Sequence, residues 1–194
     1  MSAGRPMKRI LPVVGLLVLA AGCLSPAPPA PAYWTVEPKA TPAFKSAAPR
    51  WDRVRLTQVT VRAPFDGSRL TVLRPDGSLA FDPFNSFASQ PSALLKGTVH
   101  DIVSGSGLFG RTLNAVSAAS ARYTLETTVT RLALDCRVEG VRTATAGVSL
   151  TLLDGRDVVS VASGEGSMPA GDGNYSAAFS AAFTQALAAA LSKL

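Results

Sequence analysis

Histidine and cysteine are scarce in this chain: His100 stands alone, and Cys23 and Cys136 are its two thiols. Metal centres draw several His, Cys or carboxylate ligands from set spacings, and neither CxxC nor HExxH occurs. A Ser-His-Asp arrangement would depend on His100, which lies beside Asp101 with no G-x-S-x-G turn ahead of it. Glu126, Glu139 and Glu165 are isolated in strand or loop contexts, so a working pair of carboxylates has no local support. These shortages argue against an enzyme, a metal and a bound cofactor. Clustered charge is missing too. Arg55, Arg62, Arg69, Arg74, Arg122, Arg131, Arg137 and Arg142 are scattered through strand-like segments. Nucleic-acid binding wants a compact basic face with stacking aromatics, so no nucleic-acid partner is expected.

Long apolar runs are also lacking. Ile10 to Ala21 is apolar apart from Pro12 and Gly15, short of the ~20 residues that cross a bilayer. Arg5, Lys8 and Arg9 precede it with no acid, and small residues end it, which is the pattern of a secretory signal. Ala20-Ala21-Gly22-Cys23 then resembles the bacterial lipobox, with cleavage between Gly22 and Cys23 exposing the cysteine for lipid attachment. An ordinary signal followed by an incidental thiol is the competing reading, but an unpaired exposed thiol is a liability in an oxidising compartment. Residues 1–22 are therefore expected to be removed, and the only covalent group expected is the lipid on Cys23. Removing Arg5, Lys8 and Arg9, three cations and no acid, lowers the formal net charge from +6 to +3. One acyl chain binds a membrane marginally and two or more bind it stably. Bacterial lipoproteins of this type carry three. Leu24, not Asp, follows the cysteine, which points to the outer membrane, facing the periplasm. With Cys23 acylated, Cys136 has no partner and is expected as a small buried thiol in a strand.

Residues 23–32 form the lipidated cysteine and a proline-rich tether, whose nine residues 24–32, extended at ~3.1 Å per residue, reach roughly 28 Å. Tyr33-Trp34-Thr35-Val36 either opens a first strand or rests at the lipid interface. Residues 37–50 read as loop. Segments 54–62, 68–75 and 78–82 read as strands. Asp66-Gly67, Asp76-Gly77, Asp154-Gly155 and Asp172-Gly173 fall at breaks between periodic segments, as turn pairs do. A helix is expected over 90–105, with Pro91 in its first turn and Leu94, Leu95, Val99, Ile102 and Val103 on one face. Gly105, Gly107 and Gly110 spell G-x-G-x-x-G, but a helix precedes them where a dinucleotide site needs a strand before and a helix after. They read as a helix stop and a turn. Residues 121–140 read as a long strand whose apolar phase changes midway, implying a bulge or bend. Residues 146–166 read as a hairpin turning at Asp154-Gly155. In 174–194, Tyr175, Phe179, Phe183, Leu187 and Leu191 step every four residues, with Ala182, Ala186 and Ala190 beside them. That terminal helix carries one charge, Lys193, and either packs on a sheet or self-associates. The sum is one α+β domain over 33–194, a mixed or antiparallel sheet with two main helices, at about 90–105 and 174–193, packed on it.

The lipobox, the tether leading to Tyr33-x-x-Val36, LTVLRPDGSLAFDPFNSFASQPSALL (70–95) and GSGLFGRTL (105–113) together resemble the ABC-type transport auxiliary lipoproteins, the PqiC or YmbA-like group. The resemblance spans most of 33–194 and favours a first strand at Tyr33. It departs at Phe87-Ala88, where many members carry Trp-Ala. It implies a non-enzymatic part of an MCE-type lipid transport system, docking or capping a hydrophobic conduit at the outer-membrane bilayer. The implied partners are an MCE-domain protein and an ABC permease/ATPase complex, and a homo-oligomeric ring as relatives form. Phe109 and the terminal-helix rings of Tyr175, Phe179 and Phe183 are the candidate partner or oligomer contacts, with core packing as the competing role. Two alternatives stay open: an envelope-assembly lipoprotein without a transport role, and a lipid-tethered periplasmic hydrolase.

Overall fold

The computed structural model describes residues 29–37, 44–171 and 173–194. One compact unit spans Pro31–Leu194. Its strands are β1 (Ala32–Trp34), β2 (Trp51–Val61), β3 (Arg69–Leu73), β4 (Leu79–Phe87), β5 (Phe109–Leu113), β6 (Tyr123–Asp135), β7 (Thr143–Asp154) and β8 (Asp157–Pro169), and its helices are α1 (Pro91–Gly105) and α2 (Tyr175–Leu191). The class is α+β: one mixed sheet with both helices packed on it.

Strand β6 is the spine. Along one side it pairs antiparallel with β7, which pairs antiparallel with β8. Its other side is shared. β2 runs parallel to its first half, Tyr123 to Val129, and β3 runs parallel to its end at Leu134 and Asp135. β2 and β3 thus follow one another along the same edge, interrupted by residues 62–68. The sheet forks there, with β5 beside β2 in one branch and β4 then β1 beside β3 in the other.

The expected change of phase in β6 is a real irregularity: its register against β7 shifts between Val129 and Arg131. The opposing strand accommodates it with Gly147, where a Cβ would lie 2.6 Å from Thr130 Oγ1. The β7–β8 hairpin closes on Gly155-Arg156, with Asp154 facing Asp157 and Gly155 at φ +63°. Positive φ at the first of two loop residues suits the right-handed twist of the flanking strands. At the β3–β4 turn, Gly77 takes φ +81° and Asp76 accepts from the Ser78 amide at 2.9 Å.

Helix α1 buries Pro91, Leu95, Thr98, Val99, Ile102 and Val103, close to the expected face. α2 lies across β7 and β8 and buries Phe179, Phe183, Leu187 and Leu191 fully. Its approach to β8 is set by small groups on both sides. A Cβ on Gly164 would lie 2.1 Å from the Ala186 carbonyl oxygen, and one on Gly166 would lie 2.0 Å from that of Ala182. Ala182, Ala186 and Ala190, four residues apart on α2, therefore rest on strand backbone.

Three expectations are corrected. Residues 109–113 are not only a turn: Gly107, at φ +66°, redirects the chain into β5, which pairs parallel with β2. β4 continues to Phe87 because Asp82 Oδ1 accepts from the amides of Phe84 and Asn85, both at 2.9 Å, holding a bulge that hides the alternation. Cys136 sits just after β6 ends, half-buried, and so lies outside any strand.

Candidate functional site

β1 and the residues that follow it are stitched in from several directions. β1 pairs parallel with β4, matching Ala32 to Asn85, Tyr33 to Ser86 and Trp34 to Phe87. Trp34 Nε1 donates to Asn85 Oδ1 at 2.9 Å, and the Trp34 ring meets Tyr175 edge-on with centroids 5.3 Å apart. The next three residues run between the helices. Thr98 Oγ1 on α1 donates to the Val36 carbonyl at 3.1 Å. On α2, Ser176 Oγ donates to the Thr35 carbonyl at 2.7 Å, and Ser180 Oγ accepts from the Glu37 amide at 2.9 Å. Val36 is buried in the core between these contacts. The hydroxyls on a helix so poor in charge therefore have a specific task, which is to hold residues 35–37.

Successive strand residues project to opposite faces, and paired residues share a face. Trp34 and Phe87 point into the core, where Phe87 meets Phe179 edge-on at 5.3 Å. Phe87 keeps the role of an aromatic plug. The other face carries Tyr33, Ser86 and Arg69 in a row across β1, β4 and β3, because Ser86 pairs with both neighbours. The Arg69 guanidinium lies over the Phe81 ring at 4.8 Å. Tyr33 is 70% exposed, Leu79 49%, Phe81 45% and Phe84 37%. For four large apolar side chains on one corner these values are high.

The expected contact residues lie elsewhere. Phe109, Tyr175, Phe179 and Phe183 are all buried, the last two completely. Their rings are already occupied: Tyr175 by Trp34 and by the Arg142 Nη1 donor at 3.1 Å, and Phe179 by Phe87. The alternative of core packing describes them. The regular four-residue step revealed which face of α2 is apolar, but it could not say whether that face meets this chain or another. Gly22 and Cys23 lie outside the described residues, as does Asp172.

Other side chains weighed in the sequence are placed as follows. His100 Nδ1 lies 3.4 Å from Asp101 Oδ1 on the outer side of α1. Glu126, Glu139 and Glu165 are exposed. Among the described residues no group of three or more His, Cys, Asp or Glu is arranged to hold a metal ion. Cys136 lines a hollow of about 350 Å³ together with Val138, Val141 and Arg142 in the β6–β7 loop. Burial pushes its thiol above the ordinary range, which leaves less reactive thiolate at neutral pH. Beside it, Asp135 holds Arg137 in a two-pronged pair, with Nη2 to Oδ2 at 2.6 Å and Nε to Oδ1 at 3.0 Å. The hydrogen bond from Arg137 lowers the Asp135 carboxyl below its ordinary range, and burial opposes it. This pair braces the loop base.

Among the described residues no helix is long and apolar enough to cross a membrane. No family model matches the chain, and no curated protein matches it. Solved structures do. Protein XCC0632 from Xanthomonas campestris, described as DUF330, aligns over 82% of this chain and 87% of its own at 22% identity and a TM-score of 0.57. A second, described only as an uncharacterized protein, aligns over 76% of this chain and 85% of its own at 15% identity and a TM-score of 0.53. PelC from Paraburkholderia phytofirmans, solved as a dodecamer, aligns over 77% and 92% at 18% identity and a TM-score of 0.44. The chain shares its fold with the first two.

Proposed function

We propose that this chain is a membrane-anchored auxiliary lipoprotein of an MCE-type ABC transport system, which docks or caps the lipid conduit at the outer membrane. One observation carries the reading: the lipobox-like Ala20-Ala21-Gly22-Cys23 stands nine residues ahead of a strand stitched to both helices of a single domain. The resemblance of residues 33–194 to the auxiliary lipoproteins supplies the transport system, and the fold shared with XCC0632 is compatible with it. The mechanism is positional and needs no catalysis from this chain. Acyl chains on Cys23 hold the domain at the periplasmic face, the tether limits its reach, and the far side of the sheet meets the conduit. β8 lies five strand spacings from β1 across the branch β1-β4-β3-β6-β7-β8, roughly 24 Å. It exposes Val158 and Val161 on one face, each at 61%.

Two measurements test this. Intact mass of the native protein is expected to show a chain beginning at Cys23 and carrying acyl groups. Crosslinking in membranes that contain an MCE protein is expected to recover that protein, and Val158→Asp with Val161→Asp to lower the yield without changing acylation. Recovery of an envelope-assembly protein and no MCE protein would instead favour the structural alternative.

A further inference from the structure

We infer that the outer face of the β1–β4–β3 branch, formed by Tyr33, Arg69, Leu79, Phe81 and Phe84, is a second membrane contact that lies on the phospholipid surface and sets the orientation of the domain. The inference rests on acylation at Cys23 and adds to it. Covalent geometry gives the first reason. At no more than ~3.6 Å per residue, Ala32 lies within roughly 32 Å of Cys23, however the intervening chain is arranged. An anchored Cys23 therefore keeps this corner closer to the bilayer than any surface farther along the sheet need be.

Side-chain chemistry gives the second. Tyr and Phe rings with an accompanying Arg are the groups that suit the boundary between headgroups and acyl chains, the rings entering and the guanidinium remaining at the phosphates. On this corner Tyr33 and Arg69 flank Ser86, and the Arg69 guanidinium covers one side of the exposed Phe81 ring. Leu79 extends the face along β4, and Phe84 projects from the bulge that Asp82 holds. Rigidity is the third. Tyr33 sits in a paired strand whose next residues are fastened to both helices, so its position fixes that of the whole domain.

The test uses the full acylated protein in vesicles of phosphatidylethanolamine and phosphatidylglycerol carrying a trace of photoactivatable phospholipid. After illumination, peptides containing Tyr33 and residues 79–84 are expected to carry the label and the exposed 114–120 loop to carry none. A Tyr33→Ser, Phe81→Ser, Phe84→Ser variant is expected to lose that labelling while floating with the vesicles as the parent does. Labelling spread evenly over the domain, or confined to the peptide that contains Cys23, on floating and acylated wild-type protein overturns the inference alone. A wild-type chain without acyl groups overturns the lipoprotein reading and this one together. The wild-type map is decisive even where the variant folds poorly.

Discussion

Helix α2 and strand β8 meet almost without side chains, whereas the β1–β4 corner is built from large ones. At the first, Ala182, Ala186 and Ala190 rest on Gly164 and Gly166, and helix carbonyls occupy the space a methyl group would need. At the second, Trp34 and Phe87 fill the inner face while Tyr33, Phe81 and Phe84 stand in solvent on the outer one. The contrast separates two demands. The α2–β8 contact tolerates no added atom and reads as pure architecture. The corner is firm beneath and unconstrained above, which leaves its outer residues free to be set by what they touch.

The harshest test of this contrast is Gly166→Leu. Its Cβ would begin 2.0 Å from a backbone oxygen, so the helix must lift from the sheet. Loss of ~3 kcal/mol or more is expected, read as insoluble protein or a fall in Tm on the order of 10 °C. Next comes Phe179→Ala. It empties a fully buried site beneath Phe87 and is expected to cost ~3–5 kcal/mol in urea denaturation. An intermediate loss of ~1–2 kcal/mol is expected for Asp82→Ala, which orphans the Phe84 and Asn85 amides. Faster hydrogen exchange confined to β4 would locate the effect.

A smaller, pH-dependent effect belongs to Asp135. Its folded carboxyl holds a proton less tightly than the unfolded chain does. Its contribution is therefore complete above the unfolded value near ~3.9, and is lost as pH falls through the lowered folded value. Asp135→Asn is expected to lower the urea midpoint at pH 7, with the gap to wild type closing below about pH 4. Equal gaps at pH 3 and pH 7 would contradict the assignment. Smallest of all, Tyr33→Ser, at a side chain 70% exposed, is expected to leave stability within ~0.5 kcal/mol. A large loss there would erase the distinction between the two regions.

Much of the framework could be read from residue patterns because it obeys local rules. Pro91 and the Leu95-Val99-Ile102 spacing located α1, Asp154-Gly155 marked the β7–β8 turn, and the phase change in β6 announced the shift opposite Gly147. What escaped depends on partners distant in the chain. β5 is five residues long, and its alternation is masked by Gly110. The β4 bulge is held by a side chain that bonds to backbone two and three residues ahead. The aromatic step in α2 suits a sheet-packed core and also an interface, and it is the burial of Phe179 and Phe183, with Phe87 against the Phe179 ring, that puts it in this chain's own core. In hindsight Ala162, Gly164 and Gly166, small at every second position, were the available signal. At the corner, the sequence offers Tyr33 and Trp34 two competing explanations, strand or lipid interface. Strand geometry sends neighbours to opposite sides, so the two rings face different surroundings.

The fastening of residues 35–37 has a mechanical consequence. A pull on Pro31 would load the three pairs between β1 and β4 first. Any peeling would be arrested at residues 35–37, where the bonds to both helices through Thr98, Ser176 and Ser180 begin.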